Sequence, residues 1–68
     1  MANINGRKIS SVKLMLRQYF NDNRPVKKDF LYGRVEADTI EVADKESFIY
    51  LINDEYRITS IGRTYRDE

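Results

Sequence analysis

FIYLINDEYRITSIG, residues 48–62, is the most strongly patterned stretch of the chain. It is rich in β-branched and aromatic residues and is interrupted once, by Asn53-Asp54-Glu55. Such residues fit a pleated, half-buried surface. Asn and Asp tolerate positive φ and so suit a tight hairpin turn. The alternative is a helix followed by a short strand, capped by Asp44 or Ser47. Residues 48–52 are few for a helix and would be apolar all round. The pattern therefore predicts a hairpin, with residues near Leu51 opposite residues near Tyr56. In that hairpin Phe48, Tyr50 and Ile52 point one way, and Ile49 and Leu51 the other.

Working toward the N-terminus, Ile40 and Val42 alternate with Glu41 and Ala43, the mark of a half-buried strand. Phe30, Leu31, Tyr32 and Val35 surround Gly33, which suggests a further strand with a bend. Pro25 ends whatever precedes it, since proline disfavours the helical region for Arg24. Upstream, Val12, Met15, Leu16, Tyr19 and Phe20 share one helical face. Ser10 or Ser11 is a candidate cap for this helix. Leu14 points away from the stripe. Residues 1–8 read as a flexible leader and residues 66–68 as a frayed tail. Past Gly62, Arg63–Tyr65 reads as a short last strand.

The expected fold is α+β over residues 1–68, a single small domain. An N-terminal amphipathic helix packs on a four- to five-stranded antiparallel sheet or partly closed barrel, since closure removes exposed strand edges. The expected core is Val12, Met15, Leu16, Tyr19, Phe20, Phe30, Val35, Ile40, Val42, Phe48, Tyr50, Ile52, Ile58 and Ile61.

Composition narrows the function classes. A chain of 68 residues buries a modest fraction of its surface and gains from a staple. Cysteine and histidine are both absent, so disulfides, thiolate metal sites and imidazole bases are excluded. Homo-oligomerisation is the staple that remains. The acidic residues Glu36, Asp38, Glu41 and Asp44 lack the loop geometry and glycine of a cation site. Gly6, Gly33 and Gly62 are too far apart for a phosphate loop. No catalytic residue, metal ligand or cofactor is expected, and the chain reads as non-enzymatic. It has no membrane-spanning or signal-like apolar run, so the expected setting is cytoplasmic.

Charge is unevenly distributed. Residues 1–34 hold eight basic and two acidic residues, and residues 35–68 hold four basic and nine acidic. Such polarity suits a nucleic-acid face, or two halves that neutralise each other on folding. Lys13, Arg17, Arg24, Lys27, Lys28 and Arg34 are the candidate DNA or RNA contacts. Cations neutralise phosphates, and the neighbouring Phe30 and Tyr32 are able to stack on bases. The leading expectation is a nucleic-acid-binding or regulatory module. The alternative is a protein–protein adaptor or inhibitor acting through the acidic half or the helix.

Two short segments resemble known families. YRITSIGR, residues 56–63, looks like the closing hairpin of winged-helix DNA-binding domains. That arrangement requires two further helices before the hairpin, where Pro25, Gly33 and the alternation at residues 39–42 predict strands. The order of a helix, NRPV at residues 23–26 and short strands is similar in outline to Sm-like RNA-binding barrels. The RNA-contact motifs of that family are missing, and no residue role carries over.

The helical phase yields a direct test. Leu16→Ala should cost about 2–4 kcal/mol in urea unfolding, as a buried leucine leaves a cavity when truncated. Leu14→Ala should cost less than about 1 kcal/mol. Equal losses at the two positions would show that the phase is wrong.

Overall fold

The structure, a computed structural model, describes residues 2–68, with side chains from Ser11 onward. The expected leader over residues 1–8 lies outside the residues with described side chains. Helix α1 spans Ala2–Tyr19, so Ser10 and Ser11 lie within it rather than capping it. Strand β1 (Val26–Lys27) leads into the short helix α2 (Lys28–Tyr32), then α3 (Ala37–Lys45), β2 (Ile49–Ile52), β3 (Glu55–Ile58) and α4 (Ser60–Asp67). The α+β class stands. The four to five strands and the partly closed barrel do not: the sheet has three antiparallel strands in the order β1-β3-β2 and is open.

Three of the expected strands are helices. In residues 39–42 the alternation of Ile40 and Val42 suggested a period of two. The buried positions are Thr39, Ile40 and Ala43, which fall on one face of α3. A run of four residues is compatible with either period, and packing against α1 decides for helix. Phe30, Leu31 and Tyr32 form a single helical turn, of which only Leu31 is buried. Gly33 has an ordinary right-handed conformation and makes no bulge. The last segment, expected as a strand at residues 63–65, is the middle of α4.

The hairpin is present as expected. Leu51 is opposite Tyr56, and Asn53 and Asp54 both take positive φ (52° and 62°), the signature of a type I′ two-residue turn. β1 then adds to the far side of β3, pairing Val26 with Tyr56 and Lys27 with Glu55. Two helices, α2 and α3, precede the hairpin. The two helices whose expected absence spoke against a winged-helix arrangement are thus present.

The core is built by α1, α2, α3 and the sheet. It contains Val12, Met15, Leu16, Phe20, Leu31, Ile40, Ala43, Ile49, Tyr56 and Ile58. Tyr19, Val35, Val42 and Phe48 pack at its margin. Four expected core residues, Phe30, Tyr50, Ile52 and Ile61, are exposed. Phe30 lies on the outer side of α2, and Ile61 on the outer side of α4. The hairpin has the opposite facing from that expected: Ile49 points inward and Tyr50 and Ile52 outward. Leu14 is exposed, as its phase on α1 required.

Where β3 passes into α4, two backbone segments approach closely. Thr59 caps α4 by accepting a hydrogen bond from the Gly62 N–H (3.0 Å). Its own N–H donates to the Phe48 carbonyl at 2.9 Å. The hydroxyl also lies within reach of the Ser47 and Phe48 carbonyls. A Cβ at Gly62 would fall 2.1 Å from the Phe48 oxygen and 2.8 Å from Ile58 Cγ1. The nearest obstacle is backbone and cannot rotate away. Gly62→Ala should therefore destabilise the fold by about 3 kcal/mol, near the top of the usual overpacking range. Urea unfolding checks this, and a wild-type midpoint for the variant would refute the close approach.

Candidate functional site

Four of the six basic candidates have a local contact, and the other two lie together beside the hairpin turn. Lys13 sits over the Tyr65 ring of α4, its Nζ 4.9 Å from the centroid. Arg17 donates from Nε to the Arg66 carbonyl at 3.1 Å, near the C-terminal end of α4. Arg24 pairs with the exposed Asp22 at 3.4 Å. Arg34 lies 4.5 Å from the centroid of Phe30. These contacts tie Lys13 and Arg17 to α4, and Arg24 and Arg34 to their own loop and helix.

Lys27 and Lys28 lie beside the hairpin turn, where the Lys28 N–H donates to the Asp54 carbonyl at 2.9 Å. They border a cleft of about 440 Å³ with Phe30, Asn53 and three acidic residues, Asp29, Asp54 and Glu55. Lys27 is directly opposite Glu55 in the sheet. Three carboxylates around two ammonium groups make a poor receptor for phosphate, since like charges repel at short range.

Helix α3 occupies the position just before the hairpin and carries the opposite sign. Its exposed residues include Asp38, Glu41 and Asp44, with Lys45 in the last turn and Glu36 and Glu46 at its ends. Residues three apart line one side of a helix, so the three carboxylates form a ridge. Among the described residues no group of His, Cys, Asp or Glu is disposed to hold a metal ion.

Helix α3 packs against strand β2 of the hairpin. Tyr56, buried on β3, shares a side-chain hydrogen bond with Tyr32 at the end of α2, and their ring centroids are 6.4 Å apart. The Tyr56 phenol is pushed well above its ordinary pKa, first by burial, then by the Tyr32 hydrogen bond and charge, then by the charges of Asp44 and Glu41. The two α3 carboxylates therefore act on the tyrosine pair. Leu51, opposite Tyr56 in the hairpin, is 41% exposed, and Tyr32 is 37% exposed. The result is an aromatic and aliphatic surface beside an acidic ridge.

Sequence reasoning missed this grouping. It assigned Tyr32 to a base-stacking role and placed Glu41 on a strand edge. The available signal was the spacing of Asp38, Glu41 and Asp44, which is helical, set against the competing alternation of Ile40 and Val42.

Elsewhere, Arg66 of α4 donates to the Phe20 carbonyl just beyond α1 and to Asn23 Oδ1 at 2.9 Å. It also binds Asp67 at 2.9 Å, and that hydrogen bond holds the Asp67 carboxyl below its ordinary pKa. Residues 66–68, expected to fray, thus include a side chain anchored across the fold. Among the described residues no helix is long and apolar enough to cross a membrane. No protein-family model, curated protein or solved structure gives a significant match to the chain.

The tyrosine pair predicts an alkaline response. A phenol whose folded-state pKa is raised binds its proton more tightly in the folded state. Its stabilising contribution is complete below the unfolded-state value of about 10 and is lost as pH rises through the folded value. The urea midpoint of the wild type should fall above about pH 10, and Tyr56→Phe should flatten that fall. Identical pH slopes for the two proteins would rule out Tyr56 as the linked group.

Proposed function

We propose that the chain is a small, non-enzymatic protein-binding module acting through its acidic side. The observation that carries this reading is the acidic ridge of α3, next to the exposed part of the hairpin. A face presenting Asp38, Glu41 and Asp44 opposes phosphate and favours a basic protein surface. The local contacts of the basic residues support the same reading. Lys13, Arg17, Arg24 and Arg34 each have a neighbour that occupies them, and Lys27 and Lys28 lie among carboxylates. In this reading the module works in the cytoplasm, which suits a chain without cysteine.

Nucleic-acid binding through Lys27 and Lys28 is the competing reading, favoured by their position beside the projecting turn. The two helices before the hairpin do not decide between them, because one fold serves many functions.

Two measurements test the proposal together. Labelled single- and double-stranded DNA and RNA are titrated at low salt. No association is expected. Binding that weakens steeply with salt and is lost in Lys27→Glu/Lys28→Glu would overturn the proposal, since phosphate contacts release counterions. In parallel, nuclease-treated lysate is passed over immobilised wild type and Glu41→Lys/Asp44→Lys. A protein retained by the wild type should be lost from the folded variant. Equal retention by both would count against the acidic side.

A further inference from the structure

Resting on the protein-binding reading, we infer that Tyr32, Glu41, Asp44 and Leu51 form a docking surface for an arginine-bearing segment of a partner protein. The occupant is argued from charge and shape. Glu41 and Asp44 are exposed, lie one helical turn apart on α3, and both act on Tyr56. Tyr32 is hydrogen-bonded to Tyr56 and leaves part of its ring open. An arginine is able to satisfy both features at once. Its planar guanidinium stacks on an aromatic face and donates paired hydrogen bonds to carboxylates. Lysine, a point charge with a strong hydration shell, matches this combination less well.

The chain itself uses the same stacking at Arg34, whose guanidinium lies 4.5 Å from the centroid of Phe30. Leu51 supplies the apolar part of the surface. It shares a sheet face with Tyr56 and sits on β2, one of the two edge strands of the sheet. The opposite face of the hairpin is less selective. There Tyr50 and Ile52 are paired across the sheet with Arg57 and Glu55, so both signs of charge border the apolar pair. On the α3 side the exposed parts of Leu51 and Tyr32 are bordered by Glu41 and Asp44, with Lys45 the one basic residue of that helix. An arginine with a large apolar neighbour in the same segment is the partner chemistry that fits.

The test uses the full chain and fluorescein-labelled ten-residue peptides of alternating Arg-Leu, Lys-Leu, Arg-Ser and Glu-Leu. Anisotropy is measured at about 0.15 M ionic strength, where long-range attraction is screened beyond about 8 Å. Arg-Leu should bind at least about tenfold more tightly than Lys-Leu or Arg-Ser, and Glu-Leu should not bind. Glu41→Gln/Asp44→Asn should weaken Arg-Leu binding about tenfold or more with an unchanged circular dichroism spectrum. Leu51→Ser should bring Arg-Leu down to the level of Arg-Ser and leave Arg-Ser unchanged. The Leu51 position is exposed, so this variant is expected to fold.

Equal binding of Arg-Leu and Lys-Leu would overturn the arginine assignment. Arg-Leu binding that survives both sets of substitutions would overturn this surface while leaving a protein-binding module in place elsewhere on the chain. Absence of peptide binding would overturn the inference. If that absence were joined by salt-dependent DNA or RNA binding, the protein-binding reading would fall with it.

Discussion

The Phe48 carbonyl is the point on which the C-terminal half of the fold turns. It accepts the Thr59 N–H, lies within reach of the Thr59 hydroxyl, and faces the bare Cα of Gly62. The first contact closes the open end of the hairpin. Thr59 then starts α4 by capping it, so the last strand and the last helix share one residue as their joint. A side chain at residue 62 would drive α4 away from the hairpin. With α4 displaced, Tyr65 would lose its stack on Phe48, where the rings are parallel at 4.6 Å. A glycine in a helix normally weakens it. Here the lost helix propensity is exchanged for an approach that no other residue permits.

The same joint sets the fate of the positive charge. Once α4 is held against α1, Lys13 meets Tyr65 and Arg17 meets the end of α4, while Arg66 reaches back to the end of α1. The exchange is reciprocal. Each helix supplies an arginine to carbonyl oxygens at the other's C-terminal end, where partial negative charge accumulates. The basic excess of the first 34 residues is thus partly used inside the fold. The acidic excess of the second half is carried outward in part on α3, at Asp38, Glu41 and Asp44.

What was legible in the sequence follows from how many constraints each segment carries. The inward stripe of α1 repeats over several turns, and Val12, Met15, Leu16 and Phe20 are buried accordingly. The hairpin was legible because Asn53-Asp54 supplied turn chemistry between two strand-like runs. Its facing was not. Residues 48–52 are apolar on both sides, so nothing local says which side meets the core, and a one-residue error exchanges Ile49 for Tyr50. The helices α2 and α3 were illegible for another reason. Each has too few apolar positions to separate a period of two from one of 3.6, and α2 is barely more than one turn. The candidate site inherited that loss, since Glu41 and Asp44 form a common face only if α3 is a helix.

The hairpin both contributes to the core and projects beyond it. Ile49, Tyr56 and Ile58 bury one face of the hairpin, so it does contribute to the core. Leu51 and Ile52 carry the strand beyond the well-covered region, so it also projects. A two-stranded ribbon is marginal alone. Here β1 adds a third strand near the turn, placing Lys27 beside Glu55 and supporting the projecting end from one side. The other side remains the β2 edge. Turn chemistry, the short third strand and the α4 joint together hold Leu51 at a fixed position beside Tyr56 and the α3 carboxylates. An exposed leucine alone would signify little. One held by the sheet beside the Glu41 and Asp44 carboxylates can discriminate among partners, because both its apolar contact and its electrostatic setting are in place before a partner arrives.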